Sequence, residues 1–479
     1  MPPCSPHSGP SARATSHQEG QATSVRTPAL AVRLDRASPV GLGNQLVAAL
    51  REQVVRGTLP AGDRLPSTRA LAAELGVARS VAEQAYAQLV AEGWLEGRHG
   101  AGTYVAAGGL VPAAPRSRAP RLPSDRHLVR LDTGTPYVDP RLAPSWRRAW
   151  REVGTARPPR GYDDPRGLPA LRTALAERLA RTRGVDVDAD AVLVTGGTTD
   201  GLRQLVGVLP DGPVGVEDPG YRAAVDTARA VGRTVVDLPP GAAGADLGGL
   251  AAAYTTPAHQ HPLGRTMTGP ERVSLLAAAE RAGCLLVEDD YDSELRYDVA
   301  PIPALTGLAR DRVAYLGTAS KTVAPSLRLG WLVAPPALHD AVLAHRTRTH
   351  ESAPWPVQRA LLALLRDGYV DRAVRSARRV YADRAERVAA VLGPHLPGPV
   401  AGMYATVALP EEVARAAREA ALAAGFDIPL LTDYCRSDLR HGLVLGFGGC
   451  TDAELDAALA AIAPVLGQGV GQGICQRLD

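Results

Sequence analysis

Between Gly43 and Arg56 the apolar residues Leu46, Val47, Leu50, Val54 and Val55 recur at helical spacing, and the stretch GTLPAGDRLP then breaks the pattern. This predicts an amphipathic helix. A second helix is marked by Ser67 and Thr68 ahead of RALAAEL and ends at Gly76. A third runs through SVAEQAYAQLVAEG, with Ser80 as its cap and Gly93 as its stop. WLEGRHGAGTYV alternates around a glycine turn and reads as two short strands. Three helices followed by a hairpin make a winged helix-turn-helix over residues 38–106.

The pattern then lapses. Residues 107–128 are rich in Pro and Arg with few large apolar groups, so they predict a linker, and residues 1–37 read as a disordered tail for the same reason. From residue 129 short apolar runs (AVLV, PVGV, CLLV, VAYL, LGWLV) alternate with amphipathic helices such as LPALRTALAERLARTRG and PERVSLLAAAERAG. Such alternation predicts an α/β domain over 129–466 with a mainly parallel sheet wrapped by helices. After residue 369 the helices lengthen, and MYATVAL and GLVLGFG read as strands of a smaller α+β subdomain. Residues 467–479 read as a loose C-terminal tail.

Composition narrows the setting. A formal charge of +3 over 479 residues is nearly balanced, so any nucleic-acid contact belongs to a local surface. Cys4, Cys284, Cys435, Cys450 and Cys475 form no CxxC pair, which fits reduced thiols in a cytoplasmic protein and gives no metal motif. No apolar run has the length of a secretory core or a membrane span.

One count stands out: of 53 lysines and arginines only Lys321 is a lysine. The polar clusters fall just past the predicted strands, the edge where open α/β sheets bind ligands. AVLV leads into TGGTTDGL, where Gly197 and Thr198 start a helix whose free N–H groups suit an anion. PVGV leads to Tyr221, CLLV to the acid-rich EDDYDSELRY, and VAYL to GTASK with Arg328 seven residues beyond the lysine. These parts fit pyridoxal phosphate, which needs an amine that can lose its proton, an acid for its pyridine nitrogen, a ring to stack on, and a phosphate site. Arginine stays protonated and cannot supply that amine.

PAHQHPLGRTM, VEDDYDSELRY and GTASKTVAPSLRLGWLVAP, with GYDDPRGLPALR and EDPGY upstream, resemble the fold-type I aminotransferase domain of the MocR/GabR regulators. The N-terminal segment resembles the GntR-type winged helix, and the order of the two motif sets is that family's own. The resemblance implies that Lys321 forms the Schiff base with pyridoxal 5'-phosphate, that Asp289 pairs with the pyridine nitrogen and that Tyr291 meets the phenolic oxygen. It places Tyr221 on the ring and Gly197, Thr198, Thr318, Ser320 and Arg328 around the phosphate. Tyr162 resembles a tyrosine that reaches the neighbouring subunit's phosphate, which implies a homodimer. His259, Gln260 or His261 stands where related enzymes have an asparagine, with His261 a candidate cofactor contact. Val444 occupies the place of the usual substrate-carboxylate arginine, and Arg436, Arg440 and Arg222 are the alternatives.

At the other end, Arg79, Ser80 and Gln84 lie at the start of the helix that enters the major groove, and Arg69, Arg98, His99 and Gly100 match positions that touch phosphate or groove edges. The expected function is a transcriptional regulator that binds a double-stranded DNA operator and senses an amine effector, or pyridoxal phosphate itself. The alternative is an active aminotransferase with a DNA-binding appendage.

Overall fold

A computed structural model of the protein describes residues 30–98, 102–106, 128–299, 302–437 and 439–469. The chain divides into two compact units, Met1–Pro123 and Ser124–Asp479. In the first, helices α1 (Leu42–Val55), α2 (Thr68–Leu75) and α3 (Arg79–Ala91) precede a hairpin of β1 (Leu95–Arg98) and β2 (Gly102–Val105). Leu46, Val47, Leu50 and Val54 are buried, but Val55 is 52% exposed. Nine residues beyond Leu46, it falls about 180° around the helix. Ser67 caps α2 by accepting from the Ala70 N–H at 3.2 Å, and Gly76 ends it in the left-handed conformation at φ 61°. Ser80 is not the cap of α3. That helix starts at Arg79 after Ala78, whose side chain offers no acceptor.

The expected N-terminal tail also ends sooner than its composition predicts. Leu30 is buried with the α1–α3 core, Val32 and Leu34 pack against it, and Arg36 donates to the Gly76 carbonyl at 2.6 Å. A few apolar residues at alternate positions suffice to dock the segment even though its neighbours are polar. Residues 1–29, 107–127 and 470–479, where the rest of the tails and the linker are expected, lie outside the described residues.

The second unit opens with β3 (Val129–Arg130), α4 (Ala143–Thr155) and α5 (Pro169–Arg183). Seven strands then form its sheet: β4 (Val192–Thr195), β5 (Val214–Glu217), β6 (Val235–Leu238), β7 (Ala252–Thr255), β8 (Leu285–Asp290), β9 (Val313–Thr318) and β10 (Gly330–Val333). Their order is β4-β10-β9-β8-β7-β5-β6; β10 runs antiparallel to both neighbours and the remaining pairs are parallel. Between them lie α6 (Thr198–Val208), α7 (Arg222–Ala230) and α8 (Gly269–Ala282), and after them α9 (Pro336–Thr349), α10 (Trp355–Arg366) and α11 (Tyr369–Leu392).

Alternate strand residues serve opposite faces, as the pleat requires. Leu193, Val287, Ala314, Leu316 and Leu332 pack with α6, α7 and α9. Val192, Val194, Tyr315, Trp331 and Val333 pack with α5, α10 and α11, while Leu286 and Val313 pack with α8. Burial on both faces explains why the strands read as unbroken apolar runs.

The C-terminal part pairs β11 (Tyr404–Ala408) antiparallel with β13 (Gly442–Gly446), backed by α12 (Glu411–Ala423) and α13 (Asp452–Gly469). α13 continues three residues past the expected end of the domain at 466. β12 (Phe426–Asp427) pairs in parallel with β3, so the first strand of the unit is stitched into its last part. Among the described residues no helix is long and apolar enough to cross a membrane.

Candidate functional site

Lys321 lies in the turn after β9, where its Nζ donates to the carbonyls of Thr133 and Gly134, each at 2.9 Å. Burial lowers its pKa, and the carboxylates of Asp292, Asp132 and Asp289 oppose that shift. An amine held below its ordinary value is closer to the neutral form that attacks a carbonyl.

The acid run begins inside the sheet. β8 carries Glu288, Asp289 and Asp290 inside the sheet, and strand alternation sends them to different partners. Asp290 receives Arg183 at 2.5 Å and the Tyr315 hydroxyl at 2.6 Å, while the Glu288 Oε2 accepts from the Thr306 N–H at 3.3 Å. Asp289 faces the other side. Its Oδ2 accepts from Tyr254 at 2.5 Å, and its buried Oδ1 has no partner. Burial pushes this carboxyl up to about 7, against the Tyr254 hydrogen bond and the influence of the nearby Thr198 hydroxyl. Asp292 bonds His259 Nδ1 at 2.7 Å, and Glu294 pairs with Arg178.

His261 sits at the centre of an aromatic box, edge-on to Tyr221 at 5.7 Å, Tyr291 at 5.8 Å, Tyr404 at 6.0 Å and Tyr434 at 5.2 Å. Its Nε2 lies 3.1 Å from the Thr133 hydroxyl and its buried Nδ1 has no partner. Burial, then the nearby charge of Lys321, pushes it down to about 3, so the ring is neutral at ordinary pH. Of the three residues left open at this position, Gln260 spends its amide on the carbonyls of Pro219 and His261, and His259 is held by Asp292. The Tyr291 hydroxyl donates to the His259 carbonyl at 2.9 Å and lies 2.8 Å from the Tyr404 hydroxyl. Tyr221 stands at the start of α7, close enough to Asp289 and Arg328 to feel both charges.

At the start of α6, Gly197 has φ 114°, a value that favours glycine, and a Cβ there would come within 3.5 Å of the Arg328 guanidinium. Arg328 Nη2 lies 3.5 Å from the Thr199 hydroxyl, while Thr198 turns toward Asp289. Thr318 donates to the Ser320 hydroxyl at 3.0 Å and accepts from the Ser320 N–H at 3.1 Å. Gly197, Thr199 and Arg328 therefore converge on one corner of the rim; Thr318 and Ser320 bind each other in the turn that carries Lys321. Tyr162 is 88% exposed and stacks on His350 at 5.0 Å.

Val444 is buried in β13 opposite Thr406. Arg436 binds Asp237 at 2.7 Å and the carbonyls of Val216 and Glu217, and Arg222 donates to the Asp433 carbonyl at 2.8 Å. In the first unit, Ser80 and Gln84 lie on the exposed side of α3, opposite the buried Ala82, Ala85, Tyr86 and Leu89. Arg69 is exposed on α2, and Arg79 is paired with Glu83 at 2.7 Å. Arg98 lies 4.4 Å over the Tyr104 ring and 2.7 Å from Glu96. His99 and Gly100 lie outside the described residues.

The profile of the bacterial regulatory proteins of the gntR family matches residues 42–105, and that of aminotransferase class I and II matches 126–462. The chain is 32% identical over 453 residues to the HTH-type pyridoxine biosynthesis transcriptional regulator PdxR of Corynebacterium glutamicum, covering 92% of this chain and 99% of that one. It is 34% identical to the probable rhizopine catabolism regulatory protein MocR of Rhizobium meliloti, covering 87% and 92%. The chain belongs to the MocR/GabR-type regulators of the GntR family. Its larger unit is similar in fold to LysN, the α-aminoadipate aminotransferase of Thermus thermophilus solved with N-(5'-phosphopyridoxyl)-L-leucine, with TM-score 0.62, 25% identity, and 72% and 93% of the two chains covered.

In this MocR/GabR-type regulator the winged helix-turn-helix is the DNA-operator module and the aminotransferase-like unit has the place of a sensor. Several residues at the rim escape a reading by motif. Tyr254 lies inside the apolar run of β7, and only the neighbouring of β7 and β8 in the sheet brings its hydroxyl to Asp289. Thr133, Gly134, Tyr404 and Tyr434 come from the far ends of the unit, and nothing in their local sequence marks them. Thr199 is different: it stands beside Thr198 in the glycine turn, and the sequence marks the hydroxyls of both as suited to an anion.

Proposed function

We propose that this regulator binds pyridoxal phosphate at the rim of its sheet, with Lys321 as the covalent anchor, and that an amine effector or the cofactor itself thereby alters operator binding. The observation that carries the reading is the buried, unpartnered Oδ1 of Asp289, within electrostatic range of the lone lysine. A buried carboxylate oxygen without a donor costs free energy, and a protonated pyridine nitrogen satisfies it. The cofactor supplies an aldehyde that condenses with amines. Tyr221 offers a face for its ring, neutral His261 with its free Nδ1 and Tyr291 offer polar contacts beside it, and Gly197, Thr198, Thr199, Thr318, Ser320 and Arg328 offer the phosphate site. Tyr291 binds protein partners and would exchange them on loading.

Tyr162, exposed on its loop, would reach the phosphate of a second copy in a homodimer. Arg69, Arg79, Ser80, Gln84, Arg98, His99 and Gly100 would contact the operator, Arg79 after release from Glu83. Val444 leaves no guanidinium in the usual place for a substrate carboxylate, which favours sensing over turnover. Protein mixed with pyridoxal phosphate is expected to gain a visible absorption band that Lys321→Ala removes, and binding to the DNA upstream of its own gene is expected to change on loading. Covalent attachment surviving in the variant would displace Lys321 as anchor. Rapid turnover of amino donors without DNA binding would overturn the regulatory reading.

A further inference from the structure

The Lys321 amine does more at the rim than wait for an aldehyde. Its three N–H donors meet two backbone carbonyls, Thr133 O and Gly134 O, both at 2.9 Å, and the Asp132 carboxylate lies within electrostatic range. Those carbonyls belong to the first loop of the larger unit. The described chain enters this unit at Leu128, pairs through β3 with β12, and reaches Thr133 at once.

The loop is packed hard against β13. The Gly446 N–H donates to the Leu131 carbonyl at 2.8 Å, and a Cβ on Gly446 would lie 1.9 Å from the Asp132 carbonyl oxygen. A Cβ on Gly448 would lie 2.5 Å from the Thr135 carbonyl oxygen. Inside the loop the Asp132 carboxylate accepts from the Gly134 N–H at 2.8 Å and from the Thr135 hydroxyl at 3.1 Å. The segment is therefore a close-fitting piece with two carbonyls turned to the lysine.

We propose that the free Lys321 ammonium is a latch on the Asp132–Thr135 loop, and that capture of the cofactor's aldehyde releases it, so that the entry segment of the unit reports whether the lysine is engaged. The proposal rests on the reading of Lys321 as the cofactor anchor. The donor count carries it. When an ammonium condenses with an aldehyde, the nitrogen forms a C=N bond and gives up two hydrogens, which leave with the aldehyde oxygen as water. The nitrogen keeps the positive charge and one N–H. It can no longer serve two carbonyls. The loop thus loses at least one charge-assisted hydrogen bond, the stronger kind. Leu128–Leu131 is the stretch through which residues 1–127, with the DNA-binding module, are covalently joined to the unit.

Lys321→Ala and Lys321→Arg test this in the full chain. Neither can hold the aldehyde, but they act oppositely on the latch: alanine leaves both carbonyls bare, whereas arginine keeps a charged donor for them. Amide hydrogen exchange over residues 131–137 without cofactor is expected to run roughly tenfold faster in Lys321→Ala than in wild type, and near the wild-type rate in Lys321→Arg. Adding pyridoxal phosphate to wild type is expected to accelerate exchange over 128–132, and to leave both variants unchanged. Equal exchange in wild type and Lys321→Ala would overturn the latch, as would a wild type whose visible band appears on loading while 128–132 stays unmoved. An arginine variant as fast as the alanine variant would also overturn it. If wild type shows no band, the anchor reading fails instead, and the comparison of the two variants without cofactor still decides whether the amine holds the loop.

Discussion

Burial pushes the Asp289 carboxyl up to about 7 from an ordinary 3.8, even with the Tyr254 hydroxyl bonded to it and the Thr198 hydroxyl opposing the shift. A carboxyl raised in this way gives stability that is full below about pH 4 and lost as the pH rises through about 7. Asp289→Asn cannot lose it, so the melting temperature of the cofactor-free variant should climb relative to wild type across that interval and stay higher above it. A variant that tracks wild type at every pH would contradict the shift. The same substitution removes the negative partner of a protonated pyridine nitrogen, and cofactor affinity in an absorbance titration should fall roughly 10- to 100-fold. Lys321 was legible because its absence elsewhere made it conspicuous. Asp289 could be told from Glu288 and Asp290 only by resemblance, since the run itself does not say which residue the strand turns to the rim and which it turns to Arg183.

At the scale of elements, the junction of β9, β10 and the Gly197 turn has no spare volume. A Cβ on Gly330 would stand 2.6 Å from the Gly317 carbonyl oxygen and 2.9 Å from the Gly197 Cα, both backbone atoms that cannot rotate away. Gly330→Ala should therefore part β10 from its neighbour and shift the start of α6, costing about 1–3 kcal/mol in denaturant unfolding and weakening cofactor binding at a site it never touches. Unchanged stability and affinity would show that the junction yields. The strands themselves were readable as apolar runs, and the helices from their spacing and from signals such as Ser67 and Gly76. The reversed direction of β10 was not, because an apolar run looks the same in either direction.

For the whole molecule, two units with separate cores are joined by one stretch of chain. Their sequence legibility differs for a physical reason. The smaller unit is built from contacts close in sequence, so its helices and hairpin are found one after another, whereas the rim of the larger unit gathers Thr133, Tyr254, Asp289, Lys321 and Tyr404 from across the chain. A cofactor that binds only the folded larger unit should stabilise it by about 2.7 kcal/mol at a free concentration one hundred times its Kd. Thermal unfolding should show that gain in wild type, and Lys321→Ala should show less at the same concentration. An equal gain in both would mean that the covalent bond adds nothing to affinity.

The arginine habit of this chain has a practical corollary. Reagents that acylate primary amines find a single side-chain target, and that target is partly buried with its nitrogen drawn against two carbonyls. The rate at which one acyl mass appears on Lys321 is thus a clock for excursions of the rim. It needs no engineered label, because the sequence has already cleared away every competing side-chain amine.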